Sequence, residues 1–492
     1  MRISVHLSEN QSVVQKQIEN CADIIFRPLL IGEKEKTEAF LIYIEVAVSN
    51  VMLEDSVIGK LLNRLLSMDT EEIYGTLENN SLGISDTKEL FTLEEAMAAM
   101  FAGNAVLFVD GYDRAIKIGS KGYPGSGVQK TDSEKGLRGS KEAFSESVKT
   151  NTALIRKRIR SAKMKAEEKQ VGRYSATTTA LLYLDGVVYP PVCEEMRRRL
   201  DAFEVDGIED GGMIEYLTQK KGEGRFPVYQ TTERPDRAAQ AILEGRVVLL
   251  TDNSPEALIF PATFNSLFQT ADDYYRNERI VTFLRLIRYV AAFLALALPG
   301  LYVAAATFHP QLLPGNLIRS MAEARSGVPF PTAAEVLLME LSFELLREAG
   351  LRMPGPAGNT IGIVGGLIVG QAAVSANLVS PITVTVAALT ALGSFSIPNE
   401  ELSEVFRLWK YVILLLGTCF GILGVLLGCF LLLTLMAEQE SYGIPWLYSY
   451  VGGNLNQKAD EKDAMILAKA GKRKRRPIFA KWGNRIRFRR KS

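Results

Sequence analysis

The stretches IGIVGGLIVGQAAV (361–374) and LLLGTCFGILGVLLGCF (414–430) decide the fold of this chain, because both are apolar and both carry regularly spaced glycines. The glycines are Gly362, Gly366 and Gly370 in the first stretch, and Gly417, Gly421, Gly424 and Gly428 in the second. Residues four apart share one helix face, and a face without side chains lets two helix backbones approach closely in lipid. These two glycine ladders predict packed transmembrane helices, with several copies of the chain around a shared axis.

Four apolar stretches are candidate membrane spans, since about 20 apolar residues cross a bilayer core. They are residues 289–308, 358–374, 378–397 and 411–436. A fifth stretch, TAAEVLLMELSFELLREAG (332–350), carries four glutamates and is predicted to be an amphipathic helix at the interface or inside an assembly. Basic residues precede the first span and follow the last, which places both ends in the cytoplasm. Four spans satisfy this orientation.

The polar front half is internally duplicated. AAMFAGNAVLFVDGYDRAIKI (98–118) resembles AQAILEGRVVLLTDNSPEALIF (239–260), and AFLIYIEVAV (39–48) resembles TALLYLDGVV (179–188). Each copy contains a strand, a helix that ends at glycine, and a two-strand hairpin with an Asp-Gly or Asp-Asn turn. The predicted fold class is α+β: two related small α/β cytoplasmic modules, followed by a helical transmembrane domain with about four spans and the acidic helix.

Composition divides the chain into six regions. They are an N-terminal segment (1–35), module 1 (36–118), a Gly/Ser/Lys linker (119–150), a bridging helix with module 2 (151–279), the transmembrane domain (280–437) and a basic cytoplasmic tail (438–492). Residues 142–170 are predicted to form the bridging helix, which is long and basic. The N-terminus has no apolar core, so we expect no cleaved signal peptide.

Charge and motifs limit the function classes. From residue 438 onward, 14 Lys and Arg stand against 5 Asp and Glu, so the tail is either a disordered arm that attracts anionic lipid or a solvated tail that fixes orientation. The four cysteines form no CxxC pattern, and no hydrolase or metalloprotease motif occurs. We therefore expect no enzyme, no metal site and no cofactor. The basic segment 142–170 lacks interleaved aromatic residues, so we expect no nucleic-acid partner.

The candidate functional residues lie in the apolar half. Glu340 and Glu344 share a helix face, and in a symmetric ring such carboxylates would concentrate cations; pairing within or between helices is the alternative, and both remain open. If the glycine face of the first ladder packs against neighbours, other residues of that helix face a lumen. The pore-lining candidates are Ile361, Val364, Ile368 and Val369, as an apolar constriction, and the polar Gln371.

Five segments together resemble the A subunit of the GerA family of bacterial spore germinant receptors. They are TNTALIRKRI (150–159), TERPDRAAQAILEGRVVLL (232–250), DDYY (272–275), PFPTAAEVLLMELSFELLREAGLRMP (329–354) and GNTIGIVGGLIVGQAAVSANLVS (358–380). The resemblance implies a multi-pass protein of the spore inner membrane. It further implies a transporter-like B subunit that binds the nutrient, a C subunit lipoprotein, and a homo-oligomeric ring that conducts cations.

Three other interpretations stay open. The chain is a non-conducting membrane scaffold of the receptor, or an A-like channel that amplifies germination without belonging to a nutrient receptor. A secondary transporter is the third, but that class has inverted repeats within the membrane part, whereas the repeat here lies in the polar half.

Overall fold

The computed structural model of the protein divides into two compact units. Unit 1 comprises residues 1–220, 229–261 and 470–492, and unit 2 comprises residues 221–228 and 262–469. Within them, the structure describes residues 1–32, 36–48, 65, 68–78, 87–124, 134, 136, 138–220, 223–351, 356–448, 450, 462–481, 483, 485 and 486. Of residues 70, 77, 78, 351, 356–364, 367 and 470, only the backbone is described.

Unit 1 contains two five-stranded antiparallel sheets with the same strand order. Module 1 consists of α1 (Leu7–Ile18), β1 (Ile24–Ile31), β2 (Thr37–Ile44), α2 (Thr70–Glu78), β3 (Thr87–Leu90), α3 (Leu93–Phe101), β4 (Ala105–Val109) and β5 (Ala115–Ile118). Module 2 consists of α4 (Val148–Arg156), β6 (Met164–Val171), β7 (Thr177–Leu184), α5 (Pro190–Leu200), α6 (Gly211–Thr218), β8 (Gln230–Thr232), α7 (Pro235–Glu244), β9 (Val247–Thr251) and β10 (Ala257–Phe260). The orders are β1-β2-β4-β5-β3 and β6-β7-β9-β10-β8. The predicted duplication and mixed α/β class are confirmed.

The two modules also share their polar contacts. Asp110 accepts a hydrogen bond from the first backbone N–H of α1 at 2.9 Å, and Asp252 accepts the equivalent bond from α4 at 3.0 Å. Asn10 and Asn151 each exchange two hydrogen bonds with the backbone of the serine six residues earlier. The carboxylates stabilise helix N-termini, where the peptide dipoles favour negative charge.

Burial follows the position of each strand in its sheet. The central strands β4 (AVLFV) and β9 (VVLLT) are buried at every residue, which is typical of strands covered on both faces. The edge strand β6 (MKAEEKQV) is instead buried at only three positions and carries four charges, which are typical of edge strands.

The structure differs from two predicted segments. Residues 142–170 do not form one bridging helix, because β6 pairs along its whole length with β7 and leaves only the short α4 before it. The segment 1–35, which we separated from module 1, supplies that module with α1 and β1.

The modules are joined by a buried ion pair, in which Arg156 donates to both carboxylate oxygens of Asp23 at 2.7 and 2.8 Å.

Unit 2 is mainly helical. Its elements are α8 (Phe264–Leu267), α9 (Glu278–Thr307), α10 (Gly315–Ala324), α11 (Thr332–Leu351), α12 (Pro356–Ser375), α13 (Pro381–Phe395), α14 (Glu400–Glu438), β11 (Glu440–Ser441) and β12 (Ile444–Pro445). Among the described residues, α9 and α14 are long and apolar enough to cross a membrane, and α13 is apolar but shorter. Helix length and apolar character therefore do not confirm the four predicted spans.

Helix α14 reverses direction at Gly421, whose φ of +62° and ψ of −143° lie outside the helical region. A Cβ at Gly424 would overlap the carbonyl oxygen of Leu416, and one at Gly428 would lie 3.4 Å from the Cα of Ile413. These contacts require the two halves to fold back on each other. We name them α14a (400–420) and α14b (422–438).

The other helices of unit 2 also alternate in direction. Helix α13 is antiparallel to α9, because Thr383 lies 3.4 Å from Tyr302 while Gly393, ten residues later, contacts Ala291. The turn at Gly421 contacts the end of α9, so α14a runs parallel to α9. The start of α9, the end of α13 and the start of α14a thus share one end of the bundle.

Parts of the described tail are buried, and there the tail differs from the disordered or solvated arm that we expected. In unit 2, Trp446 is fully buried, and its indole N–H donates to the carbonyl of Pro227 at 2.8 Å. In unit 1, Phe479 and Ala480 are buried against module 2. Charge counting missed this because buried apolar residues, rather than the surrounding cations, hold these parts of the tail in place.

Candidate functional site in the helical unit

The acidic face of α11 meets two cations of α14a. The Lys410 ammonium donates to Glu340 at 2.6 Å and to Glu344 at 3.3 Å. Arg407 donates to the other oxygen of Glu344 at 2.9 Å. We name these four residues the charged seam. Spacings of four residues on α11 and three on α14a place each pair on one helix face, and the two helices run antiparallel, so the charges meet and balance.

Burial is graded along the charged seam. The side chains of Lys410 and Glu340 are 5% and 2% exposed, whereas those of Arg407 and Glu344 are 18% and 28% exposed. The inner pair is therefore removed from solvent, and each member depends on the other to offset the cost of burying its charge. The sequence had left pairing and cation attraction open for both glutamates. Each of them contacts a cation of the same chain.

A second buried carboxylate lies near the other end of α11. Glu335 is fully buried and accepts hydrogen bonds from Arg325 at 3.1 Å, from the backbone N–H of Ser380 at 2.9 Å, and from the hydroxyl of Thr383 at 3.0 Å. Ser380 also caps α13. Glu335 thus ties the end of α10 and the start of α13 to α11. Sequence reasoning missed this role because the partners lie ten and 45 or more residues away.

Helix α13 contributes a strip of buried hydroxyls. Thr383, Thr390 and Ser394 are 0%, 1% and 7% exposed, and their spacings of seven and four residues place them on one face. The Ser394 carbonyl accepts a hydrogen bond from Ser403 of α14a at 3.1 Å. The spacing was visible in the sequence, and it would have predicted a polar face within an otherwise apolar helix.

The described glycines of both ladders pack against this same chain. A Cβ at Gly366 or Gly370 would lie 3.1 Å from a side chain of α11 or α13, and one at Gly417 would lie 3.0 Å from the carbonyl oxygen of Gly300 in α9. Gly421, Gly424 and Gly428 form the turn and inner face of the α14 hairpin. Gly362 lies outside the residues with described side chains. Close backbone approach, the physical basis of the prediction, occurs here between helices of one subunit.

The predicted pore-lining residues lie on α12. Ile368 is 60% exposed, Gln371 is exposed and Val369 is half-buried. The side chains of Ile361 and Val364 lie outside the described residues. Gly366 and Gly370 thus face the chain's own helices, while Ile368 and Gln371 face away from them.

A separate cluster of ionic contacts, which we name the node, joins the segment before α9 to the first turns of that helix. Asp273 is 1% exposed and accepts hydrogen bonds at 3.0 Å from Arg285 and from both terminal nitrogens of Arg288. Burial by itself would raise the pKa of Asp273, but the hydrogen bonds from Arg288 and the charges of both arginines outweigh it and lower the pKa. Arg285 also binds Asp463 of the tail at 3.0 Å. The node therefore holds the tail, at Asp463, beside the start of α9.

Comparison with known proteins assigns the chain to a family. The sequence model described as Bacillus/Clostridium GerA spore germination protein matches residues 12–479. The chain belongs to this family. The resemblance drawn from the sequence segments is confirmed, and the charged seam and the glycine ladders are features of a GerA-family chain.

Individual relatives cover most of this GerA-family chain. The "Uncharacterized membrane protein YfkQ" of Bacillus subtilis (strain 168) is 36% identical over 483 residues, which are 98% of this chain and 93% of that protein. "Spore germination protein KA" of the same organism is 34% identical over 445 residues, which are 90% of this chain and 82% of that protein. A crystal structure of the N-terminal domain of the A subunit of the Bacillus megaterium spore germinant receptor GerK3 is 27% identical, with a TM-score of 0.41, and covers 54% of this chain and 98% of that chain.

Proposed function

We propose that this chain is the A subunit of a nutrient-responsive spore germinant receptor, and that it oligomerises into a cation-conducting channel in the spore inner membrane. Membership of the GerA family and the names of its relatives support a role in spore germination. The observation that carries the conducting role is the outward face of α12, where Ile368 and Gln371 are exposed although Gly366 and Gly370 of the same helix pack against the chain's own helices. A transporter-like B subunit and a lipoprotein C subunit are its proposed partners.

The proposed topology has six membrane crossings, by α9, α11, α12, α13, α14a and α14b. Alternating helix directions support it, as does the reversal at Gly421. At 1.5 Å per residue, α14a spans about 31 Å and α14b about 25 Å, close to the thickness of a bilayer core. With six crossings, Arg347 and the acidic loop before α14 lie on the cytoplasmic side together with both ends of the unit. The arginine then agrees with the positive-inside bias, whereas with the four predicted spans it would lie on the outside.

The proposed pore wall is the outward face of α12. Ile368 and Gln371 have no role in the packing of the described single chain and are exposed. In a ring of identical subunits, this face lines the axis, with Ile368 as part of an apolar constriction that gates by dewetting. Glu340 and Glu344 lie behind it and neutralise cationic partners in the resting state.

Cation flux through liposomes tests conduction. We expect the purified chain to release potassium from preloaded liposomes, and Ile368→Ser to increase the leak several-fold by making the constriction easier to wet. Leu392→Ser is the matched control, because Leu392 is 62% exposed against 60% for Ile368 but lies on α13. Equal flux in both variants and the parent would overturn the pore assignment, and absence of flux in all three would favour the scaffold.

Cysteine labelling tests the topology. In a chain with Cys419→Ser and Cys429→Ser, we expect Pro398→Cys to react with a membrane-impermeant maleimide from the cytoplasmic side. Ser326→Cys is expected to react from the opposite side. A single long α14 would reverse the result at position 398, so labelling there from the outside would refute six crossings.

The non-conducting scaffold remains the second candidate, and a specific observation favours it. Both predicted ion-attracting glutamates contact cations of the same chain, so the charged seam is neutral as it stands.

Gene deletion distinguishes an amplifier of germination from the A subunit of a nutrient receptor. Deletion of a receptor A subunit removes the response to one nutrient, whereas deletion of an amplifier slows the response to all nutrients.

A further inference from the structure

The end of the chain runs antiparallel along an edge of module 2. The backbone N–H of Tyr189 donates to the carbonyl of Phe479 at 3.1 Å, and the N–H of Lys481 donates to the carbonyl of Val187 at 2.7 Å. These two bonds flank an isolated β-bridge between Val188 and Ala480. The tail therefore pairs, as an extended segment, with residues 187–189, which lie between β7 and α5 and outside the sheet. Backbone hydrogen bonds of this kind supply affinity when a protein binds an extended peptide.

Residues 187–189, Gly245 and Arg246 form a slot in module 2 that holds the backbone of this tail segment. Gly245 ends α7 with a φ of +95°, and a Cβ there would lie 2.8 Å from the Cα of Ala480 and 2.9 Å from the carbonyl oxygen of Phe479. Only glycine combines this conformation with such close approach. The Arg246 guanidinium lies 4.3 Å from the centroid of the Phe479 ring, a cation–π contact. Phe479 and Ala480 are 3% and 1% exposed.

Module 1 has the same slot, filled from nearby in the chain. Gly103 has a φ of +92°, and a Cβ there would lie 2.7 Å from the ring of Tyr123. The N–H of Gly122 donates to the carbonyl of Ala47 at 2.7 Å, beside a bridge from Val48 to the residue before Gly122. The bridge and one of the two backbone bonds match those of the tail in module 2, while the glycine lies against the Tyr123 ring instead of against backbone atoms. The slot is thus part of the module fold, and it takes an extended segment with a bulky or aromatic anchor.

The source of the occupant differs between the two modules. In module 1, the segment that directly follows β5 fills the slot. In module 2, the chain after β10 leaves for unit 2 at residue 262 and returns to unit 1 at residue 470. The slot of module 2 is therefore filled by residues more than 200 positions beyond its last strand.

We propose that this slot of module 2 is an exchangeable peptide-binding site, whose resident ligand is the segment Pro477–Lys481 of the same chain. The ligand class is an extended peptide with an aromatic residue followed by a small one, the aromatic ring stacking on Arg246 and the small residue passing Gly245. When the segment is docked, the adjoining run KRKRR (472–476) is held beside module 2. When it leaves, that run becomes available to other anionic surfaces. The proposal is independent of whether unit 2 conducts ions.

Disulfide trapping in the full chain tests the proposal. Val188 and Ala480 form a non-hydrogen-bonded antiparallel pair, in which the Cα atoms lie about 4.5 Å apart, within the range that a disulfide spans. In a chain with Cys419→Ser and Cys429→Ser, Val188→Cys with Ala480→Cys should form an intrachain disulfide on mild oxidation. A synthetic peptide of residues 470–492 should slow its formation at least tenfold. Millimolar peptide is needed, because a tethered segment has an effective concentration of that order.

The same peptide with Phe479→Ala is the matched control, since it keeps every charge. It should leave the rate of disulfide formation unchanged. Absence of the disulfide would show that the segment does not dock, and a disulfide that no peptide slows would show a permanent strand; either result overturns the proposal. Equal competition by both peptides would indicate charge alone and would overturn it as well. Hydrogen exchange of the unmodified chain gives a second readout: added peptide should expose the amide of Lys481 in the tail while Tyr189 stays protected.

Discussion

Replacing Lys410 by methionine is the sharpest test of the charged seam. The change keeps the length of the side chain and removes its charge. Glu340, 2% exposed and bonded to Lys410 at 2.6 Å, then keeps a buried carboxylate without its cation. Helix α11 loses the inner, solvent-shielded ionic contact with α14a, while the outer contact between Arg407 and Glu344 remains.

The expected cost follows from burial. Breaking a buried ion pair by removing one partner costs about 3–5 kcal/mol, because an uncompensated charge stays in the interior. This corresponds to two to four orders of magnitude in the unfolding equilibrium constant. Arg407→Met is the graded control: the outer pair is more accessible to solvent, at 18% and 28% exposed, so its loss should cost less than that of the inner pair. The double variant Lys410→Met with Glu340→Gln removes both charges and should recover most of the loss.

Tryptophan fluorescence during denaturant unfolding in detergent measures the free energy of unfolding of unit 2. The chain has three tryptophans, so a Trp482→Phe background leaves Trp409 and Trp446, both in unit 2. With the single variant Glu340→Gln added, the parent, the two single variants and the double variant form a double-mutant cycle on the inner pair. If Lys410→Met unfolds at the same denaturant concentration as the parent, or if the double variant is as unstable as the single one, the reasoning from burial is refuted.

Three further predictions concern packing and pH. Gly417→Val should destabilise unit 2 by several kcal/mol, since even a Cβ there would lie 2.9–3.0 Å from neighbouring atoms, whereas Gly315→Ala, with open space around it, should be nearly neutral in the same unfolding assay. Burial raises the pKa of Glu215 from 4.5 to about 7, so the fold loses stability as pH rises from the ordinary carboxyl pKa to the raised one. Glu215→Gln should therefore stabilise unit 1 at pH 8, by less than about 3 kcal/mol because the side chain is partly exposed to solvent, and the gain should vanish on titration to pH 4. The lowered pKa of Asp273 predicts the opposite sign: its ionic contribution is present above the ordinary carboxyl pKa and is lost as pH falls through the lowered value, so Asp273→Asn should destabilise at pH 7 by about 3–5 kcal/mol and differ little from the parent in strong acid.

The difference between sequence and structure is clearest at the second glycine ladder. Four-residue spacing indicated closely packed helices, and the described glycines do pack closely. The sequence did not show that Gly421 adopts a positive φ and turns the chain, because a glycine at a helix-packing face and a glycine at a turn have the same letter and similar apolar neighbours. Which role a glycine takes depends on what lies opposite it, and that is decided by the fold of the bundle.

Periodicity and self-similarity, which are local properties, were sufficient to predict the duplicated modules, the helical character of unit 2 and the acidic face of α11. They act through hydrogen-bonding patterns and side-chain spacing within one element, so they are readable from neighbouring letters. The partner of Glu340 lies 70 residues away in Lys410, and the occupant of the module 2 slot lies beyond the whole of unit 2. Such pairings depend on which surfaces the folded chain brings together, and many cations in the sequence were equally eligible. The tertiary structure alone decided them, because a buried contact depends on one particular arrangement of residues that are distant in the chain, and such an arrangement produces no periodic pattern in the sequence.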